Sequence, residues 1–194
     1  MPAADDDLTA LALAARDGDR IALGAFVRAS QAEVWRLCAH LTDRDAADDV
    51  TQDTYMRALG SLHSFRGESS VRTWLLSIAH RACADHIRRV QRRRLLLSAL
   101  HDRRPSGVAS SAAGGVELDI VVARLDPDRR AAFVLTQVLG LEYQEAAAVV
   151  DVPIGTIRSR VARARAQLID ELAAASDSST NVGAIAGLSP RKGP

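Results

Sequence analysis

The stretch VVDVPIGTIRSRVARARAQL, Val149–Leu168, decides the fold. Ahead of it, Tyr143–Val150 predicts a short helix with small residues at Ala146, Ala147 and Ala148. Asp151-Val152-Pro153 breaks that helix, because a proline ring cannot continue it but suits the first turn of the next one. Wound at about 100° per residue, Ile154, Ile157, Val161, Ala164 and Leu168 share one face. Thr156, Ser159 and Arg163 lie opposite, with Arg158 and Arg160 on the flanks. One side is suited to burial in a small helical domain. The other presents guanidinium forks and hydroxyls, which match phosphate oxygens and guanine edges in a major groove. Together the two segments predict a helix-turn-helix. A surface helix with a solvated arginine face is the competing reading; the Pro-x-Gly-Thr start and the small-residue first helix favour DNA.

The remaining composition suits helices around that motif. In 194 residues, hydrophobic content is 47% but aromatics only 4%, so cores must be built mainly from Ala, Leu and Val, a mixture that favours helix over sheet. The net charge of +1 conceals a division. Residues 1–53 hold five Arg against eleven Asp and Glu, a balance of −6; residues 54–94 hold nine Arg against two acids, +7; the remainder is neutral. Adjacent segments of opposite sign imply partners of opposite sign. Lys192 is the only lysine; biased codon usage explains this, although arginine also suits bidentate phosphate contacts. Cys38 and Cys83 form no framework, and their spacing implies no disulfide. The acidic start (Asp5, Asp6, Asp7) is unlike a secretory signal, and no apolar run approaches the roughly 20 residues of a membrane span. Cytoplasm is the expected location.

From the N-terminus, Leu8–Arg16 predicts a short helix ending near Asp17-Gly18-Asp19. Arg20–Leu41 predicts one or two amphipathic helices with a break near Ser30. Asp45 is the expected cap of a helix running to about Leu59, with Val50, Met56 and Leu59 inward and Asp49, Gln52 and Asp53 on one exposed strip. Ser61–Ser70 has loop composition. A long helix follows from Val71 to about Arg94, with Trp74, Leu75, Ile78 and Ala82 at helical spacing and a basic end at Arg88, Arg89, Arg92, Arg93 and Arg94. Pro105-Ser106-Gly107 and Gly114-Gly115 mark residues 95–117 as a flexible linker, with room for a helical extension through Leu100. Leu118–Leu125 is a short helix. Asp126-Pro127-Asp128 is a restart signal, and Ala131–Leu139 ends at Gly140. The second domain closes by about Ala174, and residues 175–194 have the composition of a disordered tail. Two DNA-facing modules on a flexible linker suit a protein that touches two DNA segments at once, each gaining from the other through effective concentration.

These stretches jointly resemble a known family. DDVTQDTYMRAL at 48–59 resembles the core-polymerase-binding motif of bacterial sigma-70-type factors. FRGESSVRTWLLSIAHRACADHIRR at 65–89 resembles the −10-element region of the extracytoplasmic function (ECF) subfamily. LGLEYQEAAAVVDVPIGTIRSRVARARAQL at 139–168 resembles its region 4 helix-turn-helix. The three occur in the family's order across both predicted domains, and the lack of long extra domains fits the ECF type. The resemblance implies an all-α protein of two small helical domains: residues 1–94 as sigma region 2 and residues 118–174 as region 4.

It also implies partners, namely core RNA polymerase and promoter DNA, and site residues. Asp49, Gln52 and Asp53 match the positions that contact the basic coiled coil of the polymerase clamp, in agreement with an acidic strip seeking a cationic partner. The segment His63, Ser64, Phe65, Arg66, Gly67, Glu68, Ser69 matches the loop that captures a flipped −10 base, where backbone donors and short polar side chains accept an extruded base. Phe65 fits either that pocket or the core, and Trp74 either the core or a stacking platform. Arg72, Arg81, Arg88 and Arg89 would follow phosphates. His80 stands where the family often has Asn, so −10 preference does not transfer there. Thr156, Arg158, Ser159, Arg160 and Arg163 match the −35-reading helix. The basic linker residues Arg92–Arg94, Arg103 and Arg104 lie where family linkers thread toward the RNA exit path. An anti-sigma partner is common in the family, although no residue here announces one.

Two other classes compete. A helix-turn-helix regulator acting without polymerase would leave the acidic strip and the long basic helix without a purpose. An enzyme or metal protein would need a site the sequence lacks. His80, Cys83 and His86 are spaced by three, but His80 and His86 sit about 120° apart around the helix and no fourth ligand is suggested. No glycine-rich phosphate loop or nucleophile set is present. Neither cofactor nor catalysis is expected of this chain.

Overall fold

A computed structural model describes residues 2–67, 70–100 and 116–186, and among them every regular element is helical. Eight α-helices follow in order: α1 Pro2–Arg16, α2 Arg20–Leu41, α3 Arg44–Ser61, α4 Val71–Leu100, α5 Val116–Arg124, α6 Pro127–Phe133, α7 Tyr143–Val150 and α8 Ile154–Ala186. A 3-10 turn at Leu62–Ser64 links α3 to the loop before α4, and a π-helical turn at Val134–Val138 prolongs α6.

Local chemistry sets the boundaries. Asp19 caps α2 through the backbone N–H groups of Ile21 and Ala22, at 2.8 and 3.1 Å, satisfying donors that a helix start leaves open. Asp126 caps α6 through the N–H of Asp128, with Pro127 in the first turn, as the Asp-Pro-Asp signal predicts. Asp151 ends α7 in the left-handed conformation at φ +57°. That conformation is tolerable for aspartate and turns the chain within three residues into α8. Gly140, at φ +70°, makes the equivalent turn after α6 without a side-chain penalty.

The first half of the core is centred on Phe26, Val34, Leu37, Val71, Leu75 and Leu76, and the second on Leu125, Val134, Leu135, Val149, Ile157 and Val161; all are essentially solvent-free. Each such side chain contributes roughly 1.5–3 kcal/mol through removal from water. The halves also touch: α4 packs on α7, and α2 on α5 and α6. Cys38 on α2 and Cys83 on α4 are free and buried against each other. The hydrogen bond to Cys38, together with burial, pushes the Cys83 thiol far above the usual thiol range.

Several sequence expectations are corrected. Residues Arg20–Leu41 form one unbroken helix; the Ser30 hydroxyl bonds back to the Phe26 carbonyl at 2.7 Å and meets the Tyr55 hydroxyl at 2.7 Å, so a polar residue sits mid-helix without breaking it. The cap of α3 is Asp43, which accepts from Ala46 N–H at 2.7 Å, while Asp45 falls in the first turn. Met56 is 68% exposed and Leu59 38%; the inward positions of α3 are Ala47, Val50, Thr54, Tyr55 and Ala58. α1 begins at Pro2 instead of Leu8. α5 starts at Val116 instead of Leu118, whereas α4 does run through Leu100, the extension the sequence allows; 101–115 lie outside the described residues. α8 continues past 174 to Ala186, since extending an existing helix avoids the cost of nucleation; the rest of the expected tail is outside the described residues.

Candidate polymerase and nucleic-acid interfaces

The acidic strip lies on α3. Asp49 and Gln52 are exposed, in line with Asp45 one turn before and Met56 one turn after. Asp53 differs. It accepts from Arg57 at 2.8 Å, Arg57 reaches Asp85 of α4 at 2.6 Å, and Asp85 in turn accepts from Arg88 at 2.6 Å. The hydrogen bond to Asp85 helps hold the Arg57 pKa above its ordinary value. Arg57 and then Arg88 hold the Asp85 carboxyl below its own. This run of alternating charges ties α3 to α4. It brings together Asp53, expected to face polymerase, and Arg88, expected to face DNA, through two residues the sequence reading did not single out. Asp53 and Arg57 stand at i and i+4, a spacing that signals such a pair.

The loop after α3 is divided by burial. His63, Ser64, Arg66 and Gly67 are exposed. Phe65 is buried at 5% exposure and packs on Trp74, with ring centroids 5.1 Å apart. Phe65 therefore belongs to the core, with Trp74 packed against it. Gly67 adopts φ +73°, which lets the loop turn toward α4. Glu68 and Ser69 lie outside the described residues.

Along α4 the expected DNA-facing residues separate. Arg81, Arg88 and Arg89 are exposed. Arg72 instead forks onto the Glu33 carboxylate of α2, its Nε at 3.0 and 3.1 Å from the two oxygens, and its Nη2 donates to the Leu139 carbonyl at 2.7 Å. In this conformation it forms an internal clasp between the two halves, through Glu33, which sequence reading missed. His80 is partly buried near Asp128 and Arg160 of the second half; burial lowers its pKa, Arg81 and Arg160 lower it further, and Asp128 opposes them.

The helix-turn-helix is formed by α7 and α8. Ile157, Val161, Ala164 and Leu168 are buried on one face, and Arg158, Ser159 and Arg163 are exposed on the other. Ile154 is 39% exposed, because the first turn of α8 projects beyond the core. The turn is held by Val152 N–H to Ala147 O at 3.1 Å and Thr156 N–H to Pro153 O at 2.8 Å. Thr156 is half-buried, its carbonyl accepting from the Ser159 hydroxyl at 2.9 Å, and Arg160 pairs with Asp128 of α6. Exposed guanidinium groups beside a short, well-capped first helix have the arrangement needed to meet duplex DNA.

Residues 26–94 match the family Sigma-70 region 2, and residues 116–168 match Sigma-70, region 4. The chain belongs to the sigma-70 family, in its ECF group. The ECF RNA polymerase sigma factor SigC of Mycobacterium tuberculosis is 48% identical over 172 residues, covering 85% of this chain and 91% of that protein. Among solved structures, CnrH in complex with the cytosolic domain of CnrY superposes with a TM-score of 0.67 at 26% identity, covering 87% of this chain and 98% of CnrH. The sigma factor RpoE of Bartonella quintana, in complex with the anti-sigma factor NepR, gives 0.64 at 27% identity, covering 77% of this chain and 96% of RpoE. As a sigma factor, the chain binds core RNA polymerase and directs promoter recognition. Sigma factors are in general regulatory subunits without catalysis of their own. Among the described residues no helix is long and apolar enough to cross a membrane.

Proposed function

We propose that this sigma factor divides its work between its halves. Residues 1–94 hold polymerase through Asp49 and Gln52 of α3 and open the −10 element with the loop from His63 to Ser69 and the basic face of α4. Residues 118–174 read the −35 duplex with Arg158, Ser159 and Arg163 of α8, joined by Thr156 and Arg160. The exposed run Asp45, Asp49 and Gln52 on α3 is the observation that carries this reading, since exposed carboxylates on one helix face suit a cationic partner. The polymerase performs the chemistry in the cytoplasm, while this chain supplies recognition and strand opening. Extruding a −10 base requires unstacking, which the polar loop offsets with backbone donors.

In the described conformation Arg72 and His80 lie against the second half, so α7 and α8 must move away from α4 before a −10 strand reaches them. CnrH and RpoE were solved with CnrY and NepR respectively, and we extend to this chain a partner of the anti-sigma kind.

Run-off transcription with purified core polymerase on genomic fragments tests the assignment. Wild type is expected to yield discrete transcripts, and an Asp49→Ala/Gln52→Ala double variant is expected to lose them with core binding. Full activity of that variant would remove α3 from the polymerase interface. Duplex DNA binding without any core binding would favour a helix-turn-helix regulator acting alone.

A further inference from the structure

We propose that Cys38 and Cys83 form a redox modification site, at which a peroxide joins the two sulfurs as a disulfide and so cross-links α2 to α4. Neither sulfur takes part in the polymerase or promoter contacts proposed above, so this chemistry is independent of them.

These are the only two cysteines of the chain. They stand on separate helices, both thiols are free, and α2 and α4 pack so that the two residues are buried at 0% and 1% exposure. The Cys83 thiol donates to the Cys38 sulfur. Side chains in such contact already point at each other, as a disulfide requires of its two residues. Bond formation then asks only that the sulfurs close from hydrogen-bond contact to about 2.05 Å.

Cys38 is the attacking sulfur. The Cys83 thiol, and after it the Thr51 and Thr54 hydroxyls, hold the Cys38 pKa below the ordinary thiol value, against burial, which raises it. The thiolate is the form that attacks. Thr54 already donates to the Val50 carbonyl at 2.8 Å. The Thr51 hydroxyl is buried without a hydrogen-bond partner of ordinary length, so a charged Cys38 sulfur gives this orphaned donor an acceptor. Thr51 also lines the groove between α2 and α3, beside the exposed Gln31, Ala32 and Gln52. The groove wall and the neighbourhood of the sulfur therefore share one residue, a route that suits a small neutral oxidant such as hydrogen peroxide.

In the first step the Cys38 thiolate attacks one peroxide oxygen, the O–O bond breaks, and the departing hydroxide takes the proton that Cys38 released, giving water and a sulfenic acid. The negative charge on Cys38 that helps hold the Cys83 proton is then gone. Cys83 attacks the Cys38 sulfur, the S–S bond forms, the S–O bond breaks, and the hydroxide leaves with the Cys83 proton as a second water. The two sulfurs supply the two electrons that reduce the peroxide. The ring so closed spans about 45 residues. It contains α3 with its acidic strip, the exposed loop residues His63, Ser64, Arg66 and Gly67, and the start of α4. Oxidation thus ties these elements into one covalent frame.

The test treats the native full chain with hydrogen peroxide, then unfolds it in the presence of an alkylating reagent and measures the intact mass. The expected product is a monomer lacking two hydrogens and any alkyl group, returned to two alkylatable thiols by dithiothreitol, with peptide mapping linking Cys38 to Cys83. Oxidised chain should melt about 4–16 °C above reduced chain, and peroxide should raise the Tm of neither Cys38→Ala nor Cys83→Ala. The mapping uses wild type alone, so it decides the matter even where an alanine variant fails to fold. Thr51→Val removes the orphaned hydroxyl and should slow cross-linking at least threefold without lowering Tm; an unchanged rate would remove Thr51 from the site. Two fully alkylated cysteines after native treatment, with cross-linking only in urea-unfolded chain, would overturn the proposal.

Discussion

Removing Arg72 should weaken the fold, because the structure uses this residue as an internal clasp. Its guanidinium meets both oxygens of Glu33 and the carbonyl of Leu139, and the two side chains are 25% and 20% exposed. Exposed pairs contribute about 0.2–1 kcal/mol, whereas deleting one partner of a fully buried pair costs about 3–5 kcal/mol. A pair about a quarter exposed falls between these limits, at about 2 kcal/mol for Arg72→Ala. The lost Leu139 contact adds about 0.5–1.5 kcal/mol. For a chain of this length, the combined loss lowers Tm by about 5–14 °C. Glu33→Ala should cost less, since Arg72 retains the carbonyl and its long stem can carry the charge toward water. Urea unfolding of both single variants and the double variant, followed by circular dichroism, gives the coupling directly. A coupling of about 1–2 kcal/mol is expected for residues sharing a hydrogen-bonded pair. Coupling below about 0.5 kcal/mol, with Arg72→Ala as stable as wild type, would refute the clasp.

His80 should make stability depend on pH. Burial lowers its folded pKa below the unfolded value, so its contribution is fully present above about 6.5. It is lost as pH falls through that value toward the lower folded pKa. Urea unfolding between pH 7.5 and 5.5 should therefore show declining stability, with a smaller decline in His80→Gln; equal slopes would place His80 in water. Ile157→Ala empties a fully buried site at 0% exposure and should cost about 2–5 kcal/mol, read by thermal melting, while Ile154→Ala at 39% exposure should cost much less. Arg163→Ala should weaken binding to −35 duplex and reduce the salt slope by about one unit; unchanged affinity at moderate salt would remove Arg163 from the interface.

Elements with local punctuation were legible before any coordinates. Asp126-Pro127-Asp128 marks the start of α6, Gly140 its end, and Asp151-Val152-Pro153 the turn of the helix-turn-helix, because caps and proline act through neighbouring backbone groups. The buried stripe Ile157, Val161, Ala164 and Leu168 follows from helical spacing alone. The same periodicity misplaced Met56 and Leu59, since the direction of the core depends on where α2 and α4 lie against α3, not on α3 itself. Ser30 looked like a break because its partner, the Tyr55 hydroxyl, is 25 positions away in sequence.

The site shows the same division. Sequence determined which side chains are available: carboxylates on α3, arginines on α4 and α8, and a polar loop between them. Tertiary packing decided which remain free. It turned Phe65 inward against Trp74, tied Asp53 to Arg57 and onward to Asp85, and closed Arg72 on Glu33 and Leu139. Composition and spacing fix the charge and face of each helix, but a charge becomes a contact only when a distant element brings its counterpart within hydrogen-bonding distance. That pairing depends on how the helices pack, which the local pattern does not encode.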